Sequence, residues 1–202
     1  FKITGVNYKI DRFTLDLLLD DGKLTADPSA FVFTEGHITM NAKVDATKKP
    51  EWALSMQANK IQLSKLLEHQ NKKSPVEGDF NFFVDLKSSG ISLYDIAASL
   101  NGEAGFTLEK GGISRSQLEL VFLNPLGWLF SLGVDDEFKI SCGLTRYQIK
   151  QGVIKSKIFL VDGPKLLIKG KTEVNLTTDS INSLYNVEKK NVFDNSIFPS
   201  FR

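Results

Sequence analysis

The ten residues HITMNAKVDA, His37 to Ala46, put Ile38, Met40, Ala42 and Val44 at one parity and His37, Thr39, Asn41, Lys43 and Asp45 at the other. A period of two is a strand with one apolar and one wet side, since helical neighbours on a face recur every three or four residues instead. The pattern repeats along the chain. Strand-like runs occupy 13–19, 31–33, 37–46, 52–58, 78–86, 102–108, 138–149, 152–161 and 165–176. Between them stand turn signals: DDG at 20–22, EG at 35–36, NG at 101–102, KGG at 110–112, QG at 151–152 and DGP at 162–164. Such short joints connect antiparallel neighbours and leave little room for crossover helices, which argues against a parallel α/β sheet.

Three short helices are expected among the strands. The first, 61–70, brings Ile61, Leu63, Leu66 and Leu67 near one face. In the second, 91–100, Ser92 is a candidate N-cap ahead of Leu93, Ile96 and Leu100. The third runs from Ser114 to about residue 130 and breaks at Asn124-Pro125, because proline disfavours helix before it and lacks the N–H.

The strand faces add up to a surplus of apolar surface. Their apolar positions are Ile38, Met40, Ala42 and Val44; Trp52, Leu54, Met56 and Ala58; Phe80, Phe82, Val84 and Leu86; Ala104, Phe106 and Leu108; Ile140, Cys142 and Leu144; and Leu166, Ile168, Val174 and Leu176. Each large side chain gains roughly 1.5–3 kcal/mol on leaving water, so these faces must be covered. A second sheet would do it, in a sandwich or closed barrel. The other solution is a long curled sheet whose apolar side stays open as a trough for acyl chains. The fold expected is mainly β, a curved antiparallel sheet forming an open groove with a few short helices. It spans residues 1–185, with a polar tail, 186–202, leading into a further extended segment. The opening FKITGVNYKI is already strand-like, which suggests a domain cut from a longer polypeptide.

Charge and aromatic content narrow the ligand. Lys and Arg number 25 against 24 Asp and Glu, and the Lys pairs at 48–49, 72–73 and 189–190 are scattered, without the basic stripe that a phosphate backbone requires. Of the aromatic residues 15 are Phe, against 4 Tyr and 2 Trp, favouring contact with hydrocarbon over base stacking. The longest uncharged run, 120–134, is shorter than a spanning helix and contains Pro125.

No constellation of catalytic groups is apparent, and the chain is not expected to be an enzyme or to need a cofactor or metal. His37 and His69 have no metal-ligand spacing and read as solvated. GGISRS, 111–116, resembles a nucleophile elbow only loosely, and its serines suit helix caps. Asp20-Asp21 and Asp135-Asp136 fall at turns, and Asn175-Leu176-Thr177 is a sequon of a kind common by chance. Cys142, the one cysteine, makes no internal disulfide and is expected to be a small buried hydrophobe; Trp52 and Trp128 are expected to pack.

The order of segments carries a resemblance. The run GDFNFFVDLKSSGISLYDIAASLNGEAGFTLEKGGIS, 78–114, resembles the C-terminal region of the AsmA family: a strand, a G-x-S-L helix start, a turn of the type LNGE into the next strand and a G-x-I step. FKISCGLTRYQIKQGVIKSKIFLVDGPKLLIKGKTEVNLTTDSIN, 138–182, is similar to the family's following strands, with Cys142 in place, and EGHITMNAKVDATKKPEWALSMQANKIQLSKLL, from 35, to the preceding unit. Together these cover nearly all of 30–182, while 115–134 follows a sequence of its own. The resemblance implies a periplasmic protein of the Gram-negative envelope, attached to the inner membrane through a segment outside this chain and related to bridge-like lipid transfer proteins. Its partners would be phospholipid acyl chains bound for the outer membrane, with inner- and outer-membrane proteins beside them, and no nucleic acid. Ile38, Met40, Ala42 and Val44 would then line the lipid groove. A scaffold for outer-membrane proteins, docking protein rather than lipid, is the alternative. Nothing in the pattern points to a particular oligomeric state.

Overall fold

A computed structural model describes residues 11–33, 36–62, 76–114 and 137–190. Ten strands form a single curved antiparallel sheet in chain order, each hydrogen-bonded to its neighbours in sequence. They are β1 (Arg12–Asp20), β2 (Lys23–Phe33), β3 (Gly36–Asp45), β4 (Glu51–Gln62), β5 (Val76–Ser89), β6 (Asn101–Ser114), β7 (Glu137–Lys150), β8 (Val153–Asp162), β9 (Leu166–Asn175) and β10 (Ser180–Lys189). One short helix, α1 (Leu93–Ala98), lies between β5 and β6. Among the described residues the sheet does not close on itself and no second sheet faces it. The sandwich and the barrel are thereby set aside for these residues.

Two hairpins show why the glycines stand where they do. Asp21 at φ 41° and Gly22 at φ 75° turn β1 into β2, and Gln151 at φ 49° with Gly152 at φ 72° turn β7 into β8. Positive φ at both central residues matches the right-handed twist of the strands being joined. Gly152 is doubly constrained, because a Cβ there would lie 2.6 Å from the Ala97 carbonyl oxygen of α1.

Several strands are longer than the apolar runs suggested, because bulges absorb residues that break the alternation. In β2 the register shifts between Ala26 and Ser29, a step that contains Pro28, and the strand therefore begins at Lys23 rather than at 31. In β4 it shifts between Ala58 and Ile61, where Lys60 has φ 53°, so that Ile61 and Gln62 extend the strand instead of starting a helix. The rest of the expected 61–70 helix, and the third helix beyond Ser114, lie outside the described residues; Ser114 itself ends β6. β10 was not expected as a strand, and it runs through the point at 186 where the composition turns polar.

The second expected helix is present and short. Ser92 Oγ accepts from the Asp95 N–H at 3.1 Å and donates to Asp95 Oδ2 at 2.8 Å, while the Ser92 N–H reaches the same carboxylate at 3.3 Å, a reciprocal capping box. Ser88 Oγ donates to the Ile96 carbonyl at 2.6 Å, Trp52 Nε1–H to the Gly90 carbonyl at 3.1 Å and the Gly152 N–H to the Leu100 carbonyl at 2.9 Å. These bonds fasten α1 across the strand ends of β4 to β8. Leu93, by contrast, projects into solvent, as do Ile91 and Tyr94. Hydrogen bonds from Ser92 hold the Asp95 carboxyl below the usual carboxylate range. The box therefore stabilises the fold above that range and is lost as the pH falls through the depressed value. In Ser92→Ala the Asp95 pKa, followed by NMR titration, is expected to move up toward an ordinary carboxyl.

Candidate functional site

Residues registered opposite one another share a face, so the pairings trace one surface across the sheet. It runs from Phe13 to Phe31, Ile38, Ala58, Phe82 and Phe106, with Leu15, Met40, Met56, Val84 and Ala104 in the next row and Ala42, Leu54 and Leu86 beyond. On β1 to β6 this face is almost wholly hydrocarbon. Phe13 stacks on Phe31 with centroids 4.6 Å apart, and Phe80 lies 5.8 Å from Phe82 and 5.5 Å from Phe106. Much of it meets solvent: Leu17 and Leu19 are 58% and 75% exposed, and Phe13, Leu15, Leu24 and Phe106 are also exposed.

The opposite face is wet. Cross-strand ion pairs Lys23–Asp45 at 3.4 Å, Arg146–Glu103 at 2.6 Å, Lys155–Glu173 at 3.0 Å and Lys169–Glu188 at 3.1 Å lie along it, each exposed and each worth little by itself. His37 is there too, 3.2 Å from the Asn59 side-chain amide, as the sequence led one to expect of a solvated histidine. A depression of about 290 Å³ on this side, lined by Gln57, Asn81, Phe83, Thr107, Leu144 and Arg146 among others, is capped by the Arg146 guanidinium 5.9 Å above the Phe83 ring. At one margin the largely buried pair Lys190–Asp162 ties the end of β10 to β8.

Most of the residues expected on the apolar side lie together on it: Ile38, Met40, Ala42, Val44, Trp52, Leu54, Met56, Phe80, Phe82, Val84, Phe106 and Leu108 on β3 to β6, and Leu166, Ile168 and Val174 on β9. Two residues of β7 do not join them. Cys142 registers with Glu109 and Asp162, and Leu144 with Thr107 and Leu160, which places both on the wet face. Burial, and then the Glu109 and Asp162 carboxylates, push the Cys142 thiol above its ordinary pKa. Ile140 returns to the apolar side. Lys110, at φ 51°, adds a residue to β6, and β7 follows it, so that a Cβ on Gly143 would sit 3.5 Å from Leu108 Cβ and 3.8 Å from Ile140 Cγ2. Leu176 follows the end of β9 in a turn, its N–H donating to the Gly152 carbonyl at 3.0 Å. Asn175 Oδ1 is taken up by the same turn, accepting from the N–H and hydroxyl of Thr177.

Besides Ile140, the residues of β7 that face the apolar side are Gly143, Thr145, Tyr147 and Ile149, none of them among the positions expected there. Their alternation is present in the chain, one step out of phase with Ile140, Cys142 and Leu144. On β8 to β10 the same face holds Ser156, Phe159, Thr172, Ser183 and Tyr185 in its middle, with Ile154, Val161, Ile181 and Val187 toward its margins.

The family model described as "AsmA family" matches residues 2–159. The chain is similar to AsmA family protein YhjG of Escherichia coli (strain K12), with 24% identity over 190 residues, covering 93% of this chain and 28% of that protein. It thus spans little more than a quarter of the length of the curated relative it matches. No solved structure matches the chain.

Proposed function

We propose that this chain, which belongs to the AsmA family, is a lipid-binding segment of the bacterial envelope whose apolar face carries phospholipid acyl chains. The observation that supports this most is a sheet face that is hydrocarbon across six adjacent strands, with large side chains such as Leu17, Leu19 and Phe106 left in contact with solvent. At about 25 cal/mol per Å² of apolar surface, covering such a face by acyl chains is worth many kcal/mol, and a patch beyond a few hundred Å² marks a ligand or membrane site. The proposed action is passive. The face excludes water from the chains while the head groups remain hydrated, with no covalent step. The periplasm, with attachment to the inner membrane through a segment outside this chain, is the location that suits transfer of phospholipid toward the outer membrane.

Native mass spectrometry of the chain purified from bacterial cells tests this. Phospholipid adducts at a reproducible stoichiometry are expected. An unliganded mass that persists after incubation with phospholipid vesicles would count against the reading and in favour of a protein-docking scaffold.

A further inference from the structure

The apolar face is chemically divided. On β1 to β6 the hydroxyls that the described side chains bring to it, Ser29 and Ser88, are both buried, and Ser88 is held by α1. On β7 to β10 the middle of the same face carries Thr145, Tyr147, Ser156, Thr172, Ser183 and Tyr185. These six are contiguous. Tyr147 registers with Ser156 and Thr172 with Ser183, while Ser156 Oγ accepts the Thr172 N–H at 2.8 Å and joins the two pairs. Ser183 Oγ donates to Thr172 Oγ1 at 3.3 Å, and the Tyr185 hydroxyl lies 3.5 Å from the same oxygen. Gly170 leaves room for the rings beside the band: a Cβ there would be 2.7 Å from Tyr185 Cδ1 and 2.8 Å from Phe159 Cδ1.

The band is built rather than incidental. Thr145 is 2% exposed, and its Oγ1 finds no hydrogen bond of ordinary geometry. Burial raises the Tyr147 phenol above its ordinary pKa. A hydroxyl offers one donor and two acceptor sites, so the bonds recorded for Ser156, Thr172 and Ser183 use only part of their capacity. The six members of the band carry no charge: Lys155, Lys169 and Lys171 alternate onto the wet face, and Lys157, the residue that the β8 bulge inserts, is exposed. An uncharged, oxygen-rich group fits it better than a phosphate does.

Resting on the lipid-binding reading above, we propose that the hydroxyl band of β7 to β10 orients the bound phospholipid: its ester and glycerol oxygens lie on the band, and its acyl chains run across the strands toward β3. The lengths agree. Half of a bilayer's hydrocarbon core, about 15 Å, is one acyl chain deep, and strands spaced about 4.8 Å apart put β4 about 14 Å from β7.

Two phosphatidylethanolamine photoprobes test the orientation, one with a diazirine at the acyl terminus and one with it beside the glycerol, each bound to the chain and mapped by peptide mass spectrometry. The glycerol probe is expected to mark β7 to β10 and the terminal probe β3 to β5, severalfold over the reverse. Equal marking of both halves by both probes would overturn the orientation while lipid binding stood. No specific marking by either probe would overturn the lipid-binding reading with it. Tyr147→Phe combined with Thr172→Val and Ser183→Ala is expected to erase the difference between the probes, and retention of the difference would again overturn the orientation.

Discussion

Phe82→Asp is expected to empty the chain of phospholipid without unfolding it. Phe82 lies mid-sheet on the apolar face, opposite Ala58 and Phe106 and beside the Phe80 ring, and it is only half-buried. Without lipid, an aspartate there stays hydrated. The fold then loses part of the roughly 1.5–3 kcal/mol that a buried Phe contributes. With an acyl chain over it, the carboxylate would be desolvated without a partner, at a cost of several kcal/mol, which corresponds to about a hundredfold or more in affinity. Co-purifying lipid measured by native mass spectrometry should fall accordingly, and far-UV circular dichroism should keep its β signature. Phe83→Asp, one residue on and beneath Arg146 on the wet face, serves as the control and should retain its lipid. Equal loss in both variants would mean that a general weakening of the sheet, and not the occupied face, governs binding.

Gly102→Ala is expected to have the largest effect on stability. Gly102 has φ +142°, and a Cβ added there would penetrate the Asp85 carbonyl oxygen across the β5–β6 ladder. Strain of this kind, with the ladder forced apart, costs about 3 kcal/mol or more. For a domain of this size that lowers the Tm by roughly 6–12 °C. Gly143→Ala is the contrast. Its Cβ would find nothing closer than 3.5 Å and its φ is not in the left-handed region, so its Tm should stay within a few degrees of the parent. Thermal melts of the three proteins decide the matter, and a Gly102→Ala variant that melted with the parent would contradict the register of β5 and β6.

Much of the sheet could be read from alternation because long stretches of its strands keep one parity between bulges. HITMNAKVDA, the strand containing Trp52 to Ala58 and the strand containing Phe80 to Leu86 all lie as their periodicity implies. What was hidden had two physical causes. Bulges at Asp27-Pro28, Lys60 and Lys110 change the parity within a strand, so apolar residues on both sides of a bulge were assigned to the wrong element or face. Ile61 therefore continues β4 where its spacing suggests a helix, and Cys142 and Leu144 lie on the face opposite Ile140. The second cause is chemical. On β7 and β10 the inward positions hold Thr145, Tyr147, Ser183 and Tyr185, whose hydroxyls blur the contrast between the two parities, and β10 escaped notice for that reason. The chemistry that concealed these residues in the sequence is the same chemistry that distinguishes them within the groove.

Adjacent residues on opposite faces give the most direct test of where lipid lies. Thr39 faces the wet side with Gln57, and Met40 the apolar side with Met56. In a Cys142→Ser background, single Thr39→Cys and Met40→Cys variants can be alkylated with a water-soluble maleimide before and after loading with phosphatidylethanolamine. Loading should slow the reaction at position 40 severalfold and leave position 39 unchanged. Equal protection at both positions, or protection at 39 alone, would contradict a lipid-bearing apolar face.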